Sequence, residues 1–110
     1  LSLADLNLDF YRQITLLEPF GESNPQPVFA SRKVKIIDAK TVGGDNRHLK
    51  LRIASGVSRA VFDAIAFGMG DLYPQLSSEK PIDIAYNLEL NEWNGNKKLQ
   101  LKIKDLKIED

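Results

Sequence analysis

Basic side chains that alternate with apolar ones are the feature of this sequence with the clearest chemical meaning. Residues 48–53 read His-Leu-Lys-Leu-Arg-Ile, which in an extended strand directs three basic or potentially basic side chains to one face and three apolar ones to the other. A shorter series of the same kind surrounds Val34. Exposed cations on neighbouring strands can hold the phosphates of a nucleic acid. The candidate phosphate contacts are Lys33, Lys35, Arg47, Lys50 and Arg52.

The charges are sorted along the chain, although 15 cations and 15 acids give a net charge of zero. Residues 32–59 contain eight cations and two acids, and residues 97–107 contain five lysines and one acid. The interval 60–92 is acidic, with six carboxylates against one lysine. A domain folded from such blocks can carry one positive and one negative surface. The alternative is a solvated surface on which opposite charges mix.

Two ring-bearing residues could add base stacking, which contributes about 1–3 kcal/mol per base in single-strand binders. His48 could stack on a base or bond a phosphate. Alternatively, it could have a structural role and cap the end of its strand, and for a lone histidine the structural role is the favoured one. Trp93 stands beside the turn residues Asn94 and Gly95. It could be a stacking platform, or it could pack over the end of a barrel with its indole N–H bonded.

Lysines are frequent after this turn. Lys97 and Lys98 follow it directly and are further candidate nucleic-acid contacts. Lys102 and Lys104 alternate with apolar residues, and solvation of an edge strand against self-pairing is sufficient to explain them. The complete candidate interface consists of Lys33, Lys35, Arg47, His48, Lys50, Arg52, Trp93, Lys97 and Lys98.

The sequence indicates no catalytic residues and no metal site. It contains one histidine and no cysteine, and no His or carboxylate pair stands at a metal-ligand spacing with a second cluster behind it. Its glycines fit neither a GxGxxG nor a Walker pattern and are predicted to lie in turns. Without a long apolar run or a signal-like segment, the interpretation is a cytoplasmic protein with no membrane partner.

The hydrophobic pattern predicts a helix, a stiff connector and five strands. The helix is expected over residues 10–18, from Asp9 as N-cap to a stop at Pro19. Strands are expected around 33–39, 48–53, 60–67, 82–90 and after the turn at 94–95; the first bends near its end and the third has a bulge near Asp63. Asp71 is expected to cap a helix over 72–77. This is the element order of an OB-fold, a mainly β five-stranded barrel.

Three segments together resemble the C-terminal nucleic-acid-binding domain of the RecJ family of single-strand-specific 5′→3′ DNA exonucleases. They are residues 17–29 (LEPFGESNPQPVF), 48–51 (HLKL) and 90–95 (LNEWNG), and they follow one another in the family's order. The resemblance extends over roughly residues 9–106. With the pattern above, it predicts an N-terminal helix and proline-rich arm over 1–27 and an OB-fold domain over 28–110.

The resemblance implies a nuclease parent and a non-catalytic role for this chain. RecJ-like enzymes belong to the DHH phosphoesterases, which hold two divalent metals, Mn²⁺ or Mg²⁺, in a separate catalytic core. Asp-His-His is absent here, so the core is expected upstream of Leu1, and this fragment is expected to bind no cofactor and to cleave no DNA.

The resemblance also implies the partners of the domain. They are single-stranded DNA, gripped in recombination and repair, and the upstream catalytic core of the same chain. The alternative is a structural or protein-docking OB module, because the same barrel also serves protein partners. In that case the proline arm and the acidic interval 60–92 would brace the nuclease core or meet another repair protein.

Overall fold

The computed structural model describes residues 1–16, 26–55 and 60–109. One helix, α1 (Leu8–Thr15), precedes five strands: β1 (Phe29–Val42), β2 (His48–Ala54), β3 (Val61–Ala66), β4 (Ile82–Trp93) and β5 (Asn96–Ile108). Short 3-10 helices lie at Leu3–Asp5, Gly44–Asn46 and Gly70–Gln75. The strands close into a barrel in the order β1, β2, β3, β5, β4. The predicted five-stranded, OB-like architecture is confirmed.

Apolar side chains alternate along the strands and fill the barrel. On β2 the inward residues are the ones that alternation predicted, and all three are fully buried: Leu49, Leu51 and Ile53. β4 contributes Tyr86 to the same core, with its hydroxyl 2.7 Å from the Ser31 hydroxyl. Burial raises the pKa of Tyr86. The inward side of β5 is likewise the predicted one, formed by Leu99, Leu101 and Ile103.

The inward side of β3 carries two small side chains and the partly buried Phe62, an arrangement that the sequence pattern did not predict. Ala64 and Ala66 are fully buried, while Val61, Asp63 and Ile65 lie on the other side of the strand. The pairing of β3 with β2 runs without a register shift. The bulge predicted near Asp63 is therefore wrong, because the larger aliphatic residues of this strand belong to its outer side.

β5 is an interior strand of the ring. It pairs antiparallel with β4 along its length and parallel with β3 around Leu101. Lys102 has a register partner on each side, Ile65 on β3 and Asn87 on β4. Solvation of an edge strand is therefore the wrong explanation for Lys102, because closure of the barrel covers both edges of β5 at this point. The pairing with β3 ends at Lys102, so for Lys104 the explanation stays a prediction.

The N-terminal residues contribute to the core and form the helix. Leu3 and Leu6 are buried among the strand residues. α1 begins after Asn7, whose Oδ1 accepts a hydrogen bond from the N–H of Phe10 at 2.7 Å, so Asn7 and not the predicted Asp9 is the N-cap. Among the residues that the structure describes, no helix has the length and apolar character needed to cross a bilayer.

The predicted proline arm falls largely on residues 17–25, which lie outside the described residues. Its final part is held to the barrel by Asn87, a buried side chain that donates to the carbonyl oxygen of Pro27 at 2.7 Å. The ring of Phe29 packs edge-on against an aromatic ring of α1, with centroids 5.5 Å apart. Phe29 is one of the two residues expected to pack the arm against the barrel, and Phe20, the other, falls outside the described ranges.

β1 bends so that its first half pairs with β4 and its second half with β2. Register shifts occur at residues 31–34 and 36–38, and the second of these confirms the predicted bend. Lys33, in the first shift, has a φ of 54°, in the left-handed region that favours glycine. Its N–H donates to Oδ1 of Asp83 at 2.9 Å. This hydrogen bond is the main reason why the pKa of Asp83 lies below its ordinary value.

Gly70 joins the segment after β3 to the turn between β1 and β2. Its N–H donates to the carbonyl oxygen of Arg47 at 3.0 Å. A Cβ atom at this position would stand 1.9 Å from the backbone oxygen of Asn46. The 3-10 helix Gly70–Gln75 replaces the helix predicted over 72–77, and no side chain caps it, so the expectation that Asp71 is the cap is wrong.

We expect Gly70→Ala to lower the free energy of unfolding by about 3 kcal/mol, the upper part of the usual range for overpacking, because two backbone segments must separate. Chemical denaturation measures this change. Gly44→Ala is the matched control, since no atom lies within 4 Å of a Cβ there, and it should change stability by less than about 1 kcal/mol. Equal stabilities of the two variants would contradict the close approach at Gly70.

Candidate nucleic-acid interface

The strand register builds a continuous outer face on β1, β2, β3 and β5, since residues paired across neighbouring strands share one side of a sheet. Three rows of side chains cross this face. The rows are Lys40, Lys50, Ile65 and Lys102; then Asp38, Arg52, Asp63 and Gln100; then Lys35, Ala54 and Val61. Cations outnumber carboxylates in these rows. We call this surface the outer face.

Apolar side chains run along β3 through the middle of the outer face. Val61 and Ile65 belong to the strand, and Phe67 follows it with 55% of its surface exposed. The Nζ atom of Lys102 lies 5.7 Å from the centroid of the Phe67 ring, a cation–π distance. We call Val61, Ile65 and Phe67 the apolar ridge. Sequence reasoning missed Ile65 and Phe67 as site residues because it expected a bulge near Asp63, which left the side of this strand that faces the core undecided.

Cations border the apolar ridge on both sides. Lys50 and Arg52 stand on β2, and Lys102 stands on β5. The structure brings Lys35, Lys50 and Arg52 to the outer face, as the hypothesis of a basic patch requires. The exposed Arg47 lies in the turn that leads into β2. Lys33 is not brought to this group, because it lies at the shift in the half of β1 that pairs with β4.

Asp63 is a carboxylate in the centre of the outer face. Its Oδ2 lies 2.8 Å from Nζ of Lys98, and its Oδ1 lies 3.9 Å from Nε of Arg52. Asp63 thus connects a cation of β5 to a cation of β2 across the ridge. Because these side chains are partly exposed, such pairs contribute little to folding, and their main effect is on the local field.

His48 makes the contacts that its structural interpretation requires. Its Nδ1 accepts a hydrogen bond from the N–H of Gly68 at 2.9 Å, so the ring ties β2 to the turn after β3. The ring also meets Phe67 edge-on, with centroids 5.2 Å apart. His48 therefore supports the most exposed member of the apolar ridge.

Trp93 lies at the end of β4, beside a two-residue turn. Asn94 and Gly95 have φ values of 48° and 79°, which are typical of the type I′ hairpin that the dipeptide predicted. Trp93 pairs with Asn96 and keeps 51% of its surface exposed. Half of the indole is therefore accessible, and Trp93 stays a predicted stacking residue.

Lys97 and Lys98 are adjacent and point to opposite sides of the β4–β5 hairpin. Lys98 reaches the outer face, where it meets Asp63. Lys97 pairs with Glu92 and by alternation lies on the other side. The structure thus brings only one of these two predicted contacts to the outer face.

Metal-ligating side chains do not cluster within residues 1–16, 26–55 and 60–109, where no group of three His, Asp or Glu side chains could hold an ion. The described part of the chain therefore does not fit a metal cofactor.

Comparison with known proteins identifies a family. The model of the RecJ OB domain matches residues 1–105. The single-stranded-DNA-specific exonuclease RecJ of Haemophilus influenzae is 36% identical over 104 residues, which cover 94% of this chain and 18% of that protein. RecJ of Bacillus subtilis is 29% identical over 108 residues, covering 98% of this chain and 14% of the relative. The chain thus spans less than a fifth of the length of these relatives.

Solved structures agree with this result. RecJ from Thermus thermophilus, in complex with Mn²⁺, superimposes with a TM-score of 0.70 at 30% identity, covering 94% of this chain and 14% of that one. A mitochondrial single-stranded DNA binding protein from S. cerevisiae superimposes with a TM-score of 0.57 over 76% of this chain and 94% of its own, at 17% identity. The second similarity shows a shared fold.

Proposed function

This chain belongs to the RecJ OB domain family, and from that premise we propose that its outer face binds single-stranded DNA for a RecJ-type 5′→3′ exonuclease acting in recombination and repair. The curated relatives are exonucleases specific for single-stranded DNA. A domain that grips the strand would help to deliver it to the nuclease site. The catalytic core and its Mn²⁺ or Mg²⁺ would lie elsewhere in the parent, and this domain would contribute binding in the cytoplasm without catalysis.

One observation carries the proposal: an exposed apolar ridge on β3 lies between cations of β2 and β5. Binders of single strands combine flat or apolar side chains that contact bases with cations that follow the backbone. Phe67 and Ile65 offer the first kind of contact. Lys50 and Lys102, their neighbours in the same part of the sheet, offer the second kind on either side.

The contacts proposed here distinguish little between different base sequences. Lysine and arginine bond phosphate oxygens that are identical at every nucleotide, and an aromatic ring can stack on any base. We therefore propose binding that is nearly independent of sequence. Lys35, Lys50, Arg52 and Lys102 would hold phosphates, with Arg47 at the border and Trp93 as a second stacking platform, while Lys98 stays paired with Asp63.

A salt titration tests this proposal. Fluorescence anisotropy with labelled oligo-dT would give Kd at several salt concentrations. If about four phosphates are neutralised, log K should fall against log salt with a slope near −3, because each phosphate contact on a single strand contributes about −0.7. Binding that is absent, or that does not respond to salt, would refute the proposal.

We expect Asp63→Asn to increase the affinity for oligo-dT about three-fold and to steepen the salt slope by about 0.7, because the substitution releases Lys98 for one more phosphate. The same titration measures both quantities. Asp71→Asn, at an exposed carboxylate outside the outer face, is the control for a simple change of net charge. Weaker binding by Asp63→Asn would show instead that the carboxylate positions Lys98 and Arg52 for the ligand.

A further inference from the structure

A groove lies between the N-terminal residues and the start of β5, at the Val61 end of the outer face. Its volume is about 310 Å³. Apolar side chains from three parts of the chain form its floor, and two lysines stand beside them. These lining residues are Leu8, Val61, Phe62, Leu99, Lys97 and Lys98.

The chemistry of this groove matches a nucleotide. Its volume is at the lower end of the range for small-molecule sites, about 300–1,000 Å³, which suits a single base and sugar better than a larger ligand. An apolar floor can take the face of a base, and the ammonium group of Lys97 can take the adjoining phosphate. None of the described residues that line it is an Asp or Glu.

The groove is continuous with the outer face. Val61 belongs both to the apolar ridge and to the groove, and Lys98 lines the groove while it bonds Asp63 at the centre of the face. Lys97, which alternation turns away from the outer face, meets Lys98 again at the groove. A strand that leaves the face at Val61 therefore reaches a second place with the same combination of apolar surface and cations.

We propose that this groove is an additional subsite, which binds one further nucleotide of a DNA strand that already lies on the outer face. The subsite rests on the proposed function and extends it. The subsite gives Lys97 a role in DNA binding, although Lys97 does not lie on the outer face. It also makes the affinity depend on the length of the DNA strand.

The test compares a short and a long oligonucleotide. Oligo-dT of 4 nucleotides is near the lower limit of about 4–16 nucleotides per OB-fold and should occupy the outer face alone, whereas 15 nucleotides should also fill the groove. The double variant Leu8→Glu with Lys97→Glu places two carboxylates in the groove. We expect it to weaken binding of the 15-mer about 10-fold and of the 4-mer less than 2-fold, since one stacked base and one phosphate contact are lost.

The control is a double variant in which one leucine and one lysine at other positions are likewise replaced by glutamate. Leu16→Glu with Lys104→Glu changes an exposed residue beyond α1 and an exposed lysine of β5, neither of which lines the groove. It should leave the ratio of the two affinities as in the wild type. Equal losses for both lengths in the groove variant, or none, would overturn the subsite while leaving the proposed function in place. Failure of the wild type to bind either oligonucleotide would overturn both.

Discussion

Reversing the charges of Lys50 and Arg52 together is expected to weaken binding of oligo-dT roughly 30- to 150-fold. Both side chains lie on the outer face beside the apolar ridge, and both would contact phosphates. If each lost contact costs about 1–1.5 kcal/mol, the upper part of the net range for an ordinary hydrogen bond, because both side chains are solvated, the pair costs about 2–3 kcal/mol, which gives that ratio in Kd. Lys50→Glu with Arg52→Glu, measured by anisotropy at fixed salt, provides the value.

The control must separate loss of contact from change of net charge. Arg12→Glu with Lys80→Glu removes one arginine and one lysine at exposed positions on α1 and before β4, outside the outer face. It should reduce affinity only slightly, because charges more than about a Debye length, ~8–10 Å, from the ligand are screened. Circular dichroism should show folded protein in both cases, since neither Lys50 nor Arg52 faces the core. Equal losses in the two double variants would place the binding site elsewhere and favour a protein-docking role.

The part of the fold that could be predicted is the part where the two sides of a strand differ strongly in polarity. β2 is the clearest case, because leucine and isoleucine alternate there with histidine, lysine and arginine. That contrast fixed both its inward side and the cations of the candidate site. The hairpin at Asn94 and Gly95 was predictable for another local reason, since both residues readily adopt positive φ.

The inward side of β3 could not be predicted in this way, because its larger aliphatic residues lie on the outer side of the strand. Its inner residues Ala64 and Ala66 are small, whereas its outer side carries the bulkier Ile65 and leads to Phe67. A pattern method assigns large apolar residues to the core, so the carboxylate of Asp63 beside Val61 and Ile65 led to the prediction of a bulge, and the apolar ridge was missed. A strand whose small residues alternate with larger apolar ones is the signal that could have identified it.

The sequence pattern also could not predict contacts between distant parts of the chain. Closure of the barrel by β3 and β5 depends on residues almost 40 positions apart, and it made β5 an interior strand. The first register shift of β1 separated Lys33 from Lys35, which strict alternation would have placed on one side. Pairing of Asp63 with Lys98 is of the same kind, since no local rule connects a carboxylate of β3 with a lysine of β5.

Replacing Phe67 by alanine is expected to weaken binding of oligo-dT about 5- to 150-fold, the equivalent of one lost stacking contact of about 1–3 kcal/mol. Phe67 is the most exposed residue of the apolar ridge and is held in place by His48 on one edge and Lys102 nearby. Because the ring is 55% exposed, its removal should change the free energy of unfolding little. Anisotropy titration and chemical denaturation measure the two effects separately.

The salt dependence distinguishes this effect from that of the lysines. Phe67→Ala removes no charge, so the slope of log K against log salt should equal that of the wild type while Kd rises at every salt concentration. Tyr73→Ala is the matched control, since Tyr73 is an aromatic residue of similar exposure, 46%, that lies in the 3-10 helix Gly70–Gln75 and not on the apolar ridge. An unchanged Kd for Phe67→Ala would mean that bases do not stack on the ridge, and Trp93 would then be the remaining ring able to hold them. A shallower slope of log K against log salt for Phe67→Ala would instead mean that Phe67 acts by positioning Lys102, because only a phosphate contact changes the number of ions released.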